Sequence, residues 1–362
     1  MAESPSILKR LSRFNPLRIV RAVDTVPRLH EVGQKVREDQ KELARQLRAI
    51  SRQLEQLEHT VKAQGEMLAR LPDVHAEVQQ CIALYRQDAV DADRMPRVRA
   101  MLDPDRTRRH AIAAVTRTPL DLDPGAHIVI EDLLPEEVCD ELVAAVPASQ
   151  FFPSQNMKRQ EIGVPFFLAP EYSRVVWNFF YDVLEHAILP AVIEKFRPAL
   201  DDFMRKHWPA LGSFAQSGVK LGVANSRIML RRPGYRIKPH RDPRWAFLTC
   251  LVYLQRRHDP YAYGTQFYRL HQEREAEHHS PLWVEDHQCE LVKDVPARRN
   301  SAVVFLNSTG AHGAFVPSDA PAGTERFIYQ VQFGPDDSTK QMLIDELEGA
   351  ARTAWTTARG GY

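Results

Sequence analysis

The sequence is poor in the residues that would place it in several protein classes. Its cysteines form no CxxC pair and no dense framework, which excludes a disulfide-rich secreted domain, argues against structural zinc and indicates a reducing compartment. No run of about 18 apolar residues occurs, and the N-terminus lacks the apolar stretch of a signal peptide. We therefore expect a soluble, cytoplasmic protein without a transmembrane helix. The four cysteines are Cys81, Cys139, Cys250 and Cys289.

An excess of charge of one sign is also missing. The 48 Lys and Arg residues nearly cancel the 47 Asp and Glu residues, so the overall charge gives no indication of a nucleic-acid partner. Lysine is scarce, since 37 of the basic residues are arginines, whose planar guanidinium binds carboxylates and phosphates bidentately. With 44% hydrophobic residues, the 362-residue chain can bury the core of one large domain or two smaller ones.

The first 28 residues are basic and amphipathic. Between positions 6 and 28, arginines and one lysine alternate with leucine, isoleucine, valine and phenylalanine, with Pro16 between them. Such a segment can lie on an anionic membrane surface. We favour the simpler interpretation, a leader to the next helix, because chain termini are commonly disordered.

A heptad seam follows between residues 36 and 71. Apolar residues recur at alternating spacings of four and three, and this 3.5 period persists over about four heptads, as a coiled coil requires. A single amphipathic helix packed on its own domain rarely keeps that period for so long. The sequence therefore predicts a coiled coil over 29–92 and a homo-oligomer formed through 36–71. Position a holds Leu47, Leu54, Val61 and Leu68, and position d holds Leu43, Ile50, Leu57 and Leu71.

The composition and residue pattern of the sequence change after residue 92. Several prolines and Asp-Arg pairs predict a linker over 93–125, a globular domain over 126–340 and a C-terminal tail over 341–362. Within the domain, a strand at 128–130 and helices from Pro135 and over 172–208 precede many short strands. This order predicts an α+β fold, a double-stranded β-helix (jelly roll) with supporting helices, preceded by the coiled coil. The predicted later strands are 226–231, 246–254, 264–270, 289–295, 302–306 and 326–333.

Three residues form a candidate metal site. His240 and Asp242 are two residues apart, so on an extended chain both side chains leave the same face. His312 follows another apolar strand. Two histidines and one carboxylate form a facial triad, which leaves coordination positions open for non-haem Fe(II) and O2 chemistry.

Arg326 strengthens this interpretation. It begins an alternating strand whose register points Arg326, Ile328, Gln330 and Gln332 to one face. An inward guanidinium needs an anion, and its fork suits a carboxylate. A dicarboxylic cosubstrate that chelates the metal at one end would present its other carboxylate there.

With these residues the sequence resembles the Fe(II)/2-oxoglutarate dioxygenases, in particular their prolyl-4-hydroxylase-like branch. The resemblance covers roughly residues 126–335. Beyond the His-x-Asp pair, the distal histidine and Arg326, it rests on four flanking phrases in the same order. These are Ile130-Glu-Asp-Leu-Leu-Pro-Glu-Glu-Val-Cys-Asp-Glu-Leu142, Leu248-Thr-Cys-Leu-Val-Tyr-Leu254, Gly264-Thr-Gln-Phe267 and Val295-Pro-Ala-Arg-Arg-Asn-Ser-Ala-Val-Val-Phe305.

The resemblance implies an oxygenase that uses Fe(II), 2-oxoglutarate and O2 and releases succinate. His240, Asp242 and His312 match the iron ligands, and Arg326 matches the residue that pairs with the distal carboxylate of 2-oxoglutarate. Tyr253 matches a position that in some relatives donates to the same carboxylate, and Thr249, on the same face, lines the pocket. The chain departs from collagen-type prolyl hydroxylases, which carry lysine where Arg326 stands, so the resemblance leaves the substrate open.

Several alternatives stay open. Basic residues crowd the approach to the metal, and among them Arg232 and Arg244 are candidates for binding an anionic substrate. The His- and Glu-rich segment 271–287 is interpreted as a solvated loop or lid rather than a second metal site. The substrate is an anionic metabolite, a glycan precursor or a protein side chain. Competing functions are a coiled-coil scaffold with a degenerate jelly-roll binding module and a cupin-like metal enzyme without 2-oxoglutarate.

Overall fold

The computed structural model describes residues 92–149, 152, 159–164, 169–260, 262–275, 281–349, 352 and 353, and scattered positions between 35 and 65. The chain separates into two compact units, Met1–Val78 and Gln79–Tyr362. In the first unit, four positions of the predicted seam are helical and more than half exposed: Leu43, Leu47, Leu54 and Val61. The predicted leader and most of the predicted coiled coil lie outside the described residues, so the coiled coil stays a prediction.

The helices of the second unit begin at recognisable signals. Asp103 caps one helix by accepting a hydrogen bond from the amide of Arg106, and Pro104 occupies its first turn. Pro135 precedes another, whose first turn carries Glu136 and Glu137. The α-helices in the described part of this unit are α1 (Met95–Met101), α2 (Pro104–Arg117), α3 (Glu136–Ala144), α4 (Glu171–Val183), α5 (Leu189–His207), α6 (Phe214–Ser217) and α7 (Asp337–Asp345).

Two antiparallel sheets follow the predicted β-rich pattern. The described strands are β1 (His127–Glu131), β2 (Arg159–Gly163), β3 (Leu221–Arg231), β4 (Arg236–Arg241), β5 (Leu248–Tyr253), β6 (Thr265–Leu270), β7 (Leu282–Trp283), β8 (Cys289–Val295), β9 (Ser301–Leu306), β10 (Ala311–Phe315) and β11 (Arg326–Pro335). Six strands form one sheet in the order β1-β9-β5-β11-β3-β2, and five form the other in the order β7-β4-β10-β6-β8. Successive strands from β3 to β6 and from β8 to β11 alternate between the sheets, which gives a jelly-roll-like arrangement.

The six-stranded sheet separates two apolar clusters. On its outer face Phe327, Tyr329 and Val331 of β11 join the buried faces of the helices, with Trp177 of α4 5.1 Å from Tyr329 between ring centroids. On its inner face Ile328 joins a smaller cluster between the sheets. Alternation along one strand thus directs apolar side chains to the helices and leaves the opposite face for a cavity.

Two predicted boundaries differ from the structure. The expected linker 93–125 contains α1 and α2, whose Val98, Ala111 and Val115 are buried in the main core. Two of its four prolines, Pro96 and Pro104, lie in the first turns of these helices instead of interrupting them, since proline is well suited to a first helical turn. At the other end, α7 crosses the expected boundary at residue 340 and buries Leu343. The folded unit therefore extends on both sides of 126–340.

The long helical stretch predicted over 172–208 is continuous but irregular. It widens into a π-helical turn over Leu184–Ile188 between α4 and α5. Pro190 is the second residue of α5 and cannot donate to the carbonyl four residues before it, which gives a local reason for the irregular turn.

The described residues contain no helix that is both long enough and apolar enough to cross a membrane. Cys139, Cys250 and Cys289 are buried free thiols. Burial raises the pKa of Cys139 and Cys250 to about 12, so both are inert, protonated core residues.

Candidate functional site

The predicted metal-binding residues converge between the two sheets. His240 lies near the end of β4, Asp242 follows that strand, and His312 lies on β10, where it is the register partner of His240. One ligand atom from each residue lies within 4.8 Å of the others, and all three side chains are buried. In the described part of the chain this is the one cluster of three such groups.

The protonation states suit a divalent metal ion. Burial lowers the pKa of His312 to about 3 and also lowers that of His240, so both imidazoles are neutral at pH 7. Burial disfavours the charge on Asp242, but the neighbouring imidazoles and hydrogen bonds from Thr249 and Gln332 hold its pKa below the usual value. Neutral imidazoles and an ionised carboxylate are the forms that bind metal.

Hydrogen bonds orient these groups. Nδ1 of His240 lies 3.0 Å from the carbonyl oxygen of Lys238, which favours the Nδ1–H tautomer and leaves Nε2 to face Asp242 at 3.7 Å. The hydroxyl of Thr249 donates to Oδ2 of Asp242 at 2.6 Å, and Asn307 donates to Thr249 at 3.0 Å. Thr249, predicted as a pocket-lining residue, thus lies behind the carboxylate.

A cavity of about 220 Å³ opens at the triad. As predicted, the inward face of β11 lines it through Arg326, Ile328, Gln330 and Gln332. Further wall residues that the sequence interpretation did not assign to the pocket include Arg159, Arg227, Met229, Thr265 and Trp283. For Arg227 and Met229 the signal was available, because alternation along β3 places them on one face with Arg231.

Arg326 is buried and only partly satisfied. Its Nη2 donates to the carbonyl oxygen of Gly264 at 2.7 Å, but its Nε has no hydrogen-bond partner among the described residues. Burial lowers its pKa only to about 10, so the guanidinium keeps its charge. A buried cation with an unsatisfied donor is a site for an anion.

Tyr253 reaches the cavity through a neighbour. Its hydroxyl donates to Oγ1 of Thr265 at 2.8 Å, and Thr265 lines the cavity. Burial raises the pKa of Tyr253 to about 12, so the phenol stays protonated. Because the Thr265 oxygen accepts from Tyr253, its own proton is available to an anion beside Arg326.

The two arginines predicted to bind substrate lie elsewhere. Arg232 pairs with Glu325 at 2.9 Å, and Arg244 lies 3.7 Å from Glu275. Neither lines the cavity at the triad. Their proposed role in substrate binding stays a prediction.

We compared the chain with family models, curated proteins and solved structures, and only the solved structures gave matches. No protein-family model and no curated protein matches the chain. A crystal structure of a Pseudomonas putida prolyl-4-hydroxylase is similar at 17% identity and a TM-score of 0.34, covering 62% of this chain and 99% of that chain. HygX from Streptomyces hygroscopicus, with nickel, 2-oxoglutarate and hygromycin B bound, is similar at 11% identity and a TM-score of 0.36, covering 58% and 83%.

The epimerase SnoN, solved with Fe3+, alpha ketoglutarate and nogalamycin RO, is similar at 12% identity and a TM-score of 0.36, covering 67% of this chain and 91% of that chain. The first of these structures is a prolyl-4-hydroxylase, and the other two hold 2-oxoglutarate (alpha ketoglutarate) with nickel or Fe3+. With identities below 25% and TM-scores below 0.5, the functional assignment of this chain depends on its own residues.

Proposed function

We propose that the chain is an Fe(II)- and 2-oxoglutarate-dependent oxygenase that hydroxylates an unactivated C–H bond. The observation that supports this most is the pairing of two features in one cavity. A buried two-histidine, one-carboxylate cluster and the buried, incompletely bonded Arg326 line the same cavity. The first suits iron and the second suits the free carboxylate of a dicarboxylic acid.

In the proposed reaction one oxygen atom of O2 enters the substrate and the other enters succinate, while 2-oxoglutarate loses CO2. When bound, the iron and 2-oxoglutarate supply the oxidising chemistry. The protein's residues bind and orient. His240, Asp242 and His312 hold the metal, and Arg326, with the Thr265 hydroxyl backed by Tyr253, holds the cosubstrate's distal carboxylate. No side chain is required as a general base.

The alternative of a scaffold with a degenerate binding module does not account for these features. A module without chemistry has no need of three buried ligand groups in the protonation states that bind metal, nor of an unsatisfied buried guanidinium nearby. A cupin-like enzyme without 2-oxoglutarate leaves Arg326 without a role. We therefore place both below the oxygenase.

The test is binding and turnover in the full chain. Anaerobic titration with Fe(II) and then 2-oxoglutarate is followed by admission of O2 and measurement of succinate. We expect His240→Ala to abolish tight iron binding and succinate release, and Arg326→Gln to raise the 2-oxoglutarate concentration needed by about tenfold or more, because a charge-assisted pair is lost.

His186→Ala is the matched control, since His186 is exposed on the π-helical turn far from the triad in sequence. It should bind iron and release succinate like the wild type. A wild-type protein that binds iron but no 2-oxoglutarate would contradict the proposed function. Succinate release without a hydroxylated product fits it, because cosubstrate turnover can proceed uncoupled when the substrate is absent.

A further inference from the structure

The cavity wall formed by β2 and β3 is strongly basic. Arg227 and Arg231 face inward from β3, and Arg159 begins β2 as the register partner of Arg231. All three contact a single carboxylate, that of Glu161. The closest nitrogen–oxygen distances are 3.1 Å for Arg159, 3.1 Å for Arg227 and 2.7 Å for Arg231.

One carboxylate does not neutralise three guanidinium groups. Burial disfavours the charged form of Glu161, but the charges of Arg227 and Arg231 outweigh this and lower its pKa, so it already carries its full negative charge. The cluster therefore carries two more positive than negative charges, and the guanidinium groups of Arg227 and Arg231 are largely buried. Charge held away from water is costly unless it is paired, so the arrangement favours an anionic ligand.

The donors available to such a ligand are defined. Nε of Arg231 is buried and has no hydrogen-bond partner in the described part of the chain. The side chain of Arg227 keeps 19% of its surface exposed, while its Nε donates to Gln330 at 2.9 Å and so fixes its direction. Arg159 is about half exposed and engages Glu161 through Nε. The cluster thus lines the cavity with one buried donor that has no partner among the described residues, Nε of Arg231, beside the ion-paired guanidinium groups of Arg227 and Arg159.

This site is separate from the one proposed for the cosubstrate. Arg326 pairs with Arg231 in the sheet register, whereas Arg227 pairs with Gln330, four residues further along β11. Four residues of strand span roughly 13 Å at about 3.3 Å per residue. The backbone positions of Arg227 and Arg326 are therefore well separated along the sheet, which leaves room for an anion at each.

The basic wall is close enough to the triad to serve the same reaction. Arg159 and Arg227 line the same cavity as His240, Asp242 and His312. If the chain is the oxygenase proposed above, an anion held at this wall belongs to the substrate. We propose that the substrate carries an oxyanion group, a phosphate, sulfate or carboxylate, which Arg227 and Arg159 bind while another part of the molecule reaches the metal.

The test is a crossed binding experiment on the full chain. The proteins are the wild type and the variants Arg227→Gln, Arg159→Gln and Arg326→Gln. Calorimetry measures the binding of inorganic phosphate, sulfate and acetate to each protein. A separate anaerobic titration measures the binding of 2-oxoglutarate in the presence of Fe(II). We expect Arg227→Gln to weaken binding of the small oxyanion by about tenfold or more, because it loses a charge-assisted donor. With Fe(II) and 2-oxoglutarate already bound, so that Arg326 is occupied, the loss in Arg227→Gln should be the same, while Arg326→Gln loses 2-oxoglutarate affinity.

Two control variants test whether unfolding or a general loss of positive charge explains the weaker binding. Arg227→Lys keeps the charge and should restore part of the oxyanion affinity, which a merely unfolded protein would not. Arg236→Gln removes an exposed charge on β4 that pairs with Asp286 and lies outside the cavity, and this variant should bind like the wild type. Circular dichroism of every variant confirms that it is folded.

The outcomes separate the two proposals. No binding of any of the three oxyanions to the wild type, or a loss that follows Arg326 or Arg236 instead of Arg227, would overturn the oxyanion site. Oxyanion binding that depends on Arg227, in a protein that fails to bind 2-oxoglutarate, would support the site and reject the oxygenase. The oxyanion that binds most tightly identifies the group.

Discussion

Asp242 depends on side chains outside the metal-binding set. The Thr249 hydroxyl donates to one of its oxygens, and Asn307 fixes that hydroxyl while also donating to the carbonyl of Ala246 at 2.7 Å. A carboxylate held in this way presents its other oxygen toward His240 without having to be reoriented when metal binds. Partners of this kind commonly change metal affinity by factors of 10 to 100.

Thr249→Val tests this role at nearly constant shape. We expect the affinity for Fe(II) to fall by about 10- to 100-fold while the fold is retained, since only the donor to Asp242 is lost. The measurement is anaerobic Fe(II) titration with circular dichroism as the check on folding. Thr107→Val is the matched control, because the buried Thr107 hydroxyl has no hydrogen-bond partner among the described residues. Equal iron affinities in the two variants would contradict the role of Thr249.

At the scale of single residues, much of the candidate site was predictable. The two-residue spacing of His240 and Asp242, the position of His312 and the alternation after Arg326 identify residues that the structure brings into one cavity. Arg159 carries no comparable signal. It reaches the cavity only because β2 pairs with β3, a long-range contact that local patterns do not encode.

Among the elements, β6 and β8 approach each other so closely that one position excludes a side chain. A Cβ at Gly264 would lie 1.6 Å from the carbonyl oxygen of Val295 and 2.7 Å from the amide nitrogen of Ala297. The Gly264 carbonyl is also the acceptor for Arg326. Because position 264 has no side chain, the strands can approach closely, and the Gly264 carbonyl stays where it can accept a hydrogen bond from Arg326.

Gly264→Ala should consequently be costly. We expect a loss of about 3 kcal/mol or more in the free energy of unfolding, because backbone atoms of β8 must move to admit the methyl group. Urea denaturation measures the loss. In Gly222→Ala the new Cβ would lie 3.6 Å from Cβ of Asp336, an ordinary contact, so that variant should lose far less. Similar losses in both would show that Gly264 is not a close-approach position.

Element prediction succeeded where the local pattern was strong. The predicted strand 289–295 coincides with β8, and that at 302–306 differs from β9 by one residue. The short strands β4 and β10, which carry the two histidines, were not predicted as strands. β4 contains Pro239 and β10 contains Gly313, and both residue types weaken a strand pattern. Proline is also the reason why α1 and α2 were not predicted, because it is common both in linkers and in the first turn of a helix.

For the whole molecule, the unit Met1–Val78 contains the residues predicted to join copies of the chain into a homo-oligomer. Leu43, Leu47, Leu54 and Val61 are helical and more than half exposed in the single chain. Apolar side chains at heptad positions stabilise a helix mainly when a second helix covers them. The predicted homo-oligomer would bury them.

A charge in the seam should separate the subunits. We expect the full-length Leu47→Glu, Leu54→Glu double variant to have the mass of one chain in solution, whereas the wild type has a multiple of it, because two glutamates per helix would face the partner seam. Analytical ultracentrifugation measures both masses. Lys62→Glu introduces the same charge at position b, outside the seam, and should leave the assembly unchanged. A wild type with the mass of a single chain would show that the seam does not mediate self-association.

The six-stranded sheet also has a consequence for how this protein can change over evolutionary time. On β11, Phe327, Tyr329 and Val331 belong to the core that stabilises the fold, while Ile328 and Gln330 face the cavity. Ile328 also belongs to the apolar cluster between the sheets, so Gln330 is the position where a substitution changes the cavity wall without touching either core. The cavity wall can therefore vary over generations at such positions while the helical support of the sheet stays intact.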